Sequence, residues 1–364
     1  MRIKNIPVKC TKHPYKIYVG KNALRHLPGL IEDSKLGHDA IVITTPILSA
    51  YHGKKFVQTL KKVCTNLLIL KIPDSEKSKN VHTAFGLIEK IQKFDKMKRI
   101  FFIAFGGGVV GDLTGFIAAI YKRGIPYIQI PTTLLAQIDS SIGGKTAVDT
   151  AFGKNLLGVF YQPRFVLADT ELLTTLPLKQ LRAGLSEAIK YAAIKDVRLF
   201  SFLEKNYQKI LQGDSSSLNH LIFRCAEIKA AIVALDEFDK KKIRVVLNFG
   251  HTIGHAVEAA SHFKVSHGEG VAIGMVAACH LSLELGLLKK EEADRIIGLI
   301  KKTGLPTQVR NINTSSLLKT MAYDKKFAKT NRFVLLERIG RTKIVENIPE
   351  VIIKKVLATK IVTP

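Results

Sequence analysis

Short apolar runs and helically spaced segments take turns along the first half of the chain. The runs YKIYVG (15–20), AIVITT (40–45), LLILKI (67–72), RIFFIAF (99–105), YIQIP (127–131) and FVLAD (165–169) are rich in β-branched and aromatic residues and read as strands. Between them, segments such as NVHTAFGLIEKIQKF repeat apolar residues at helical spacing. Strand and helix in regular turn predict an α/β fold built on a mostly parallel sheet covered by helices. From about Leu176 the pattern changes. LPLKQLRAGLSEAIKYAAI, SLNHLIFRCAEIKAAIVALDE, GHTIGHAVEAASHF, GEGVAIGMVAACHLSLELGLL and EEADRIIGLIKKTGL read as helices, and only RFVLLERIG (332–340) and TKIVENI (342–348) read as a hairpin, turning at Gly340. Two domains are therefore expected, an α/β domain over residues 1–170 and a helical one over 171–364.

One stretch of this pattern has two readings. FFIAFGGGVVGDLTGFIAAI (101–120) carries a single charge, Asp112, and is long enough to cross a bilayer. Its glycines also fit G-x-G-x-x-G, a loop that lets backbone amides approach a pyrophosphate. A glycine cluster with a buried carboxylate makes a poor membrane span, whereas strand, glycines and helix in that order suit a phosphate loop. The ordinary dinucleotide fold wants an acid at the end of the next strand, and YIQIP carries none. Either the glycines only permit close packing, or they belong to another nucleotide-binding family.

Composition narrows the function classes. Of the 364 residues, 46% are hydrophobic and 24% charged, as in a globular protein with a sizeable core. The start of the chain lacks the apolar region of a secretion signal, so a cytoplasmic protein is expected. Cys10, Cys64, Cys225 and Cys279 are far apart, which suits free thiols in a reducing compartment. The net charge of +26 would attract phosphates, but it is spread along the chain with no zinc-finger spacing, basic region with heptads or RNA-binding signature. No nucleic-acid or membrane partner is expected.

The chemistry-bearing residues cluster around the domain boundary and beyond it. Thr132 and Thr133, directly after a strand, can cap a helix and bond to phosphate, and Gly143 and Gly144 leave room before Lys145. Glu187 is the only acid of GLSEAIKYAAI, with Lys190 three residues on, and a carboxylate in so apolar a helix calls for a cation. LNFGHTIGHAVEAASHFKVSHGEG offers His251, His255, His262 and His267; the first two lie one helical turn apart, and His267 stands at a helix start. Two imidazoles and a carboxylate make a catalytic metal set with an open position. Spacing alone leaves open which two histidines bind. His220 and His262 read as surface residues.

FGGGVVGDLTGFIAAIYKRG, IPTTLLAQIDSSIGGKTAVD, FGKNLLGVFYQP, LRAGLSEAIKYAAI and RVVLNFGHTIGHAVE, in this order, closely resemble the 3-dehydroquinate synthases, members of the sugar phosphate cyclases. The resemblance implies an N-terminal Rossmann-like NAD-binding domain followed by an α-helical metal-binding domain. It implies NAD contacts at Asp74, Ser75, Glu76, Lys77, Ser78, Lys79, Gly108, Val109, Val110, Gly111, Asp112, Thr132, Thr133, Lys145, Lys154, Leu172, Leu173, Thr174 and Thr175. Glu187, His251 and His267 would hold a divalent metal, zinc or cobalt, with His255 beside them handling protons. Asp139, Lys145, Asn155, Lys190, Lys229, Arg244, Asn248 and Lys325 or Lys326 would surround a small sugar phosphate, and Arg123 would reach its phosphate across a homodimer interface.

The implied activity is conversion of 3-deoxy-D-arabino-heptulosonate 7-phosphate to 3-dehydroquinate in the shikimate pathway, by transient oxidation with NAD, phosphate elimination, reduction, ring opening and aldol closure. Three positions depart from the family's pattern: Ser75 where PDGE is usual, Asp149 where GVN is usual, and Thr45 where the strand commonly ends in Asp or Asn. Thr45 weakens the expected grip on the adenine ribose, and Asp149 adds charge near a phosphate-handling loop.

Overall fold

The computed structural model describes residues 3–96, 99–323 and 331–363. The chain divides into two compact units, Met1–Pro177 with Leu218–Phe238, and Leu178–Ser217 with Asp239–Pro364. The first unit thus ends seven residues later than the expected boundary at residue 170, and it takes back a helical segment from the second half.

In the first unit, β1 (Lys4–Val8), β2 (Tyr15–Gly20), β3 (Asp39–Thr44), β4 (Asn66–Lys71), β5 (Ile100–Gly106), β6 (Tyr127–Pro131) and β9 (Phe165–Asp169) form one sheet, ordered β1-β2-β9-β6-β5-β3-β4. Only β1 runs antiparallel to its neighbour. Six of the seven strands lie where the apolar runs place them; β1 is the addition. Helices α1 (Leu27–Asp33), α2 (Pro46–Leu60), α3 (Val81–Phe94) and α4 (Gly108–Ile120) complete the crossovers.

The period of two in β5 shows why these strands read as unbroken apolar runs. Phe101, Ile103 and Phe105 join Leu27, Ile31, Phe56 and Leu60 in one core. Ile100, Phe102 and Ala104 join Leu87, Ile91, Leu113 and Ile117 in the other. Both faces are covered, so no polar alternation survives. The strand order reverses between β3 and β5, and ligands of open α/β sheets bind beyond the carboxyl ends of strands at such a point.

The hairpin β7 (Lys145–Thr150) and β8 (Gly153–Phe160) was not foreseen from the pattern. Helix α7 (Ser215–Leu235) lies almost wholly in the first unit. The second unit is built from α5 (Leu178–Lys195), α6 (Val197–Leu211), α8 (His251–Ala260), α9 (His267–Glu284) and further helices, with the expected hairpin at Arg332–Arg338 and Arg341–Glu346. Gly340 makes its turn at φ 88°.

Candidate active site

The stretch at 101–120 resolves into β5, a glycine turn and the 13-residue α4. Among the described residues no helix is long and apolar enough to cross a membrane. A Cβ on Gly106 would lie 2.5 Å from Val110, so only glycine lets the strand turn directly into the helix. Gly107 caps α4 in an extended conformation with no side-chain hydrogen bond. The amides of the first turn are thus left for a ligand, at the positive end of the helix. Beside Gly108, the Ser140 Oγ is buried without a hydrogen-bond partner. An uncapped helix start with a buried hydroxyl in need of a partner fits a dinucleotide phosphate.

Around this turn the expected cofactor residues separate into two groups. Lys79 is buried, and its Nζ lies 2.9 Å from Asp112 Oδ2 and 2.6 Å from Asn155 Oδ1, with Glu76 and Asp149 at 3.6 and 3.9 Å. Burial pushes the Asp112 carboxyl up to about 6, against the pull of Lys79. Asp149 is no stray charge: its Oδ1 accepts from the Asn155 amide at 2.8 Å, and its own amide donates to Lys79 O. Asp74, Ser75, Glu76 and Lys77 are exposed, while the Ser78 hydroxyl is used internally, donating to Pro73 O.

Val110, Leu172 and Leu173 have their side chains in the core, which leaves only their backbone for a ligand. Gly111 and Thr132 are buried, and Gly108, Val109 and Thr133 half-buried; the Thr133 hydroxyl accepts from the Ala136 amide, as expected of a cap. Thr174 donates to Glu171 O, and Thr175 Oγ1 lies 2.8 Å from His52 Nε2, a partner the sequence did not single out. Lys154 reaches Glu76 at 4.0 Å. Thr45 caps α2 instead of carrying an acid.

Of the expected substrate residues, the first unit holds five. Lys229, on α7, pairs with Asp139 at 2.5 Å, which places α7 with the sheet and not with the later helices. Lys145 lies over the Phe160 ring, Asn155 adopts a left-handed conformation at φ 56°, and Arg123 is exposed. Lys190, Arg244, Asn248 and His255 belong to the second unit. Lys325 and Lys326 lie outside the described residues.

The second unit brings Glu187, His251 and His267 together, all donor atoms within 4.8 Å of one another. Two features position the histidines. Gly250, with φ 79°, starts α8, so His251 opens that helix just as His267 opens α9. The two helices cross glycine against glycine: a Cβ on Gly254 would lie 2.8 Å from Gly270 O, and one on Gly274 would overlap Gly250 O. Any larger residue there separates the two imidazoles.

Hydrogen bonds then orient both rings. His251 Nδ1 lies 3.2 Å from Phe249 O, and His267 Nδ1 lies 2.9 Å from Glu258 Oε1. Those acceptors fix the N–H on Nδ1 and leave each Nε2 facing Glu187 Oε1 at 3.2 Å. With both rings neutral, acceptor would face acceptor, so a proton or a metal cation must sit among the three groups; without metal, His267 carries that proton. Two imidazoles and one carboxylate fit zinc or cobalt.

Charge in this cluster is strongly perturbed. Burial pushes the Glu187 carboxyl up, but Lys190 at 2.5 Å and His251 outweigh it and hold it well below the usual carboxylate range. Burial lowers His267, yet its hydrogen bonds to Glu187 and Glu258 carry it up to about 10. Desolvation by neighbouring groups, then His251, lowers His255 to about 4, although the residue itself is exposed and solvent screens part of that shift. Sequence reading missed Glu258, which is nearly fully buried; one helical turn after a histidine it looks like any helix carboxylate. His220 and His262 are exposed, as expected.

Two family models match end to end: "3-dehydroquinate synthase N-terminal" over residues 69–183 and "3-dehydroquinate synthase C-terminal" over 184–327. A 3-dehydroquinate synthase of Pelotomaculum thermopropionicum is 41% identical over 345 residues, covering 94% of this chain and 93% of the relative. The chain belongs to the 3-dehydroquinate synthase family. Solved structures of other cyclases are similar at lower identity. A 2-deoxy-scyllo-inosose synthase complexed with carbaglucose-6-phosphate, NAD+ and Co2+ is 26% identical with TM-score 0.89, covering 98% of this chain and all of that one. A 2-epi-5-epi-valiolone synthase from Streptomyces hygroscopicus subsp. jinggangensis, with NAD+ and Zn2+ bound, is 26% identical with TM-score 0.88 and 99% coverage of both chains. This 3-dehydroquinate synthase thus shares markedly more sequence with the chain than do these two synthases.

Proposed function

We propose that this chain is a 3-dehydroquinate synthase, a phosphate-eliminating carbon–oxygen lyase that converts 3-deoxy-D-arabino-heptulosonate 7-phosphate to 3-dehydroquinate and phosphate, acting as a cytoplasmic homodimer. What carries this reading is the 41% identity over 94% of the chain to a relative of that name, against 26% to the two other cyclases. Glu187, His251 and His267 would hold the metal, and the Gly107–Gly108 turn with Asp112 and Thr132 would hold NAD. When bound, NAD supplies a reversible hydride acceptor and the metal lowers the pKa of a hydroxyl it faces.

The chain's own residues supply position and charge. The Phe249 carbonyl and the Glu258 carboxylate hold the two imidazoles with Nε2 available as a ligand atom. Lys190 neutralises the fully buried Glu187. Lys145, Lys229, Arg244 and Arg123 are cations for a substrate with a carboxylate and a phosphate, and charge of that kind orients more than it protonates. Asp139 holds the Lys229 ammonium in place, and Asn155 and Asn248 offer amides to hydroxyls. His255, its ring centroid 5.2 Å from that of His251 and 5.9 Å from that of His267, would handle protons beside the metal set.

The structural likeness at TM-score 0.89 favours a second reading, a cyclase of a hexose phosphate. Such a substrate has no carboxylate for the buried Arg244. Offering the heptulosonate phosphate and glucose 6-phosphate to the enzyme in parallel, with products identified by mass, separates the two. 3-Dehydroquinate from the first and nothing from the second supports the proposal; a carbocycle from glucose 6-phosphate alone sinks it.

A further inference from the structure

The YKRG turn between α4 and β6 holds two consecutive non-glycine residues in the left-handed region, Lys122 at φ 47° and Arg123 at φ 62°, before Gly124 at φ 126°. Such a pair persists only where its surroundings over-determine it, and backbone strain of this kind gathers where a side chain must be aimed. The constraint comes from Asp95. This residue ends α3, where the helix dipole disfavours a carboxylate, and its side chain is fully buried. Its Oδ2 accepts from the Tyr121 hydroxyl at 2.9 Å and pairs with Lys122 Nζ at 2.6 Å, while Oδ1 has no hydrogen-bond partner.

For stability alone this is a poor arrangement: a buried carboxylate at the wrong end of a helix, half satisfied. What it accomplishes is local. Tyr121 and Lys122, the two residues before Arg123, are both tied to one buried atom, and the Gly124 amide closes the turn on Tyr121 O at 3.0 Å. Arg123 itself is exposed and makes no ion pair among the described residues.

We propose that Asp95 is a positioning residue for Arg123: by anchoring Tyr121 and Lys122 it maintains the left-handed turn that aims the Arg123 guanidinium at a substrate phosphate. This rests on the reading of Arg123 as the phosphate-binding arm. The test measures KM for the heptulosonate phosphate in the NAD- and zinc-loaded wild type, Asp95→Asn, Tyr121→Phe, Arg123→Ala and the double variant Asp95→Asn with Arg123→Ala. Asp95→Asn and Tyr121→Phe should each raise KM about five-fold or more, with NAD affinity unchanged, and Asp95→Asn should add under about two-fold once Arg123 is gone. An equal multiplication of KM in both backgrounds overturns the proposal, because the effect is then not exerted through Arg123. So does an unchanged KM in Tyr121→Phe and Asp95→Asn when Arg123→Ala raises it. If Arg123→Ala itself leaves KM unchanged, the reading of Arg123 falls, and the positioning role with it.

Discussion

Glu258 Oε1 lies 2.9 Å from Nδ1 of His267, the residue that opens the next helix. That contact decides which ring nitrogen faces Glu187, and it links a nearly buried carboxylate to the proposed metal set. Carboxylate–histidine–metal arrangements of this kind fix ring orientation and raise ligand basicity.

Glu258→Gln should therefore weaken zinc binding by about 10- to 100-fold while leaving NAD affinity at the wild-type value. Competition against a chelating dye measures the first and cofactor fluorescence titration the second. Unchanged zinc affinity would remove Glu258 from the account.

Lys190 stands 2.5 Å from Glu187, and both are buried. Lys190→Met leaves that buried carboxylate only the His267 imidazolium as a counter-charge in the metal-free protein, at a cost of up to about 3 to 5 kcal/mol. Bound zinc supplies the missing charge, so the loss should shrink when unfolding is repeated with zinc present. Denaturant midpoints with and without metal decide it; an equal loss in both states means the pair does not neutralise a metal ligand.

Gly274 has the Gly250 carbonyl where a Cβ would be. Gly274→Ala should cost about 1 to 3 kcal/mol or more through overpacking and should lower zinc affinity, because α8 and α9 can no longer bring His251 and His267 together. Alanine tolerated with wild-type zinc affinity would show that the glycine crossing does not set the site.

How far the sequence carried this picture depends on what each residue type announces. Strands buried on both faces, such as β5, announce themselves as unbroken apolar runs, whereas the histidines at helical spacing, His251 and His255, are not the pair that meets Glu187; His267, from the next helix, is the second. The hairpin β7–β8 does not: β8 is exposed along nearly its whole length, so no burial pattern marks it. Helix α7 looks like its helical neighbours because periodicity says nothing about which unit a helix packs on; Lys229 meeting Asp139 does. Asp149 read as a charge out of place, and its two hydrogen bonds to the Lys79 and Asn155 backbones became visible only in three dimensions. Glu258 and Asp95 are likewise ordinary carboxylates in one dimension.

The most direct test of the central claim incubates the purified protein with zinc, a small amount of NAD and an excess of 3-deoxy-D-arabino-heptulosonate 7-phosphate, following phosphate release and the absorbance of reduced cofactor together. Many phosphates released per NAD, with 3-dehydroquinate formed and no accumulating NADH, is the predicted result. NADH accumulating in step with substrate consumed, or no phosphate released at all, would contradict it.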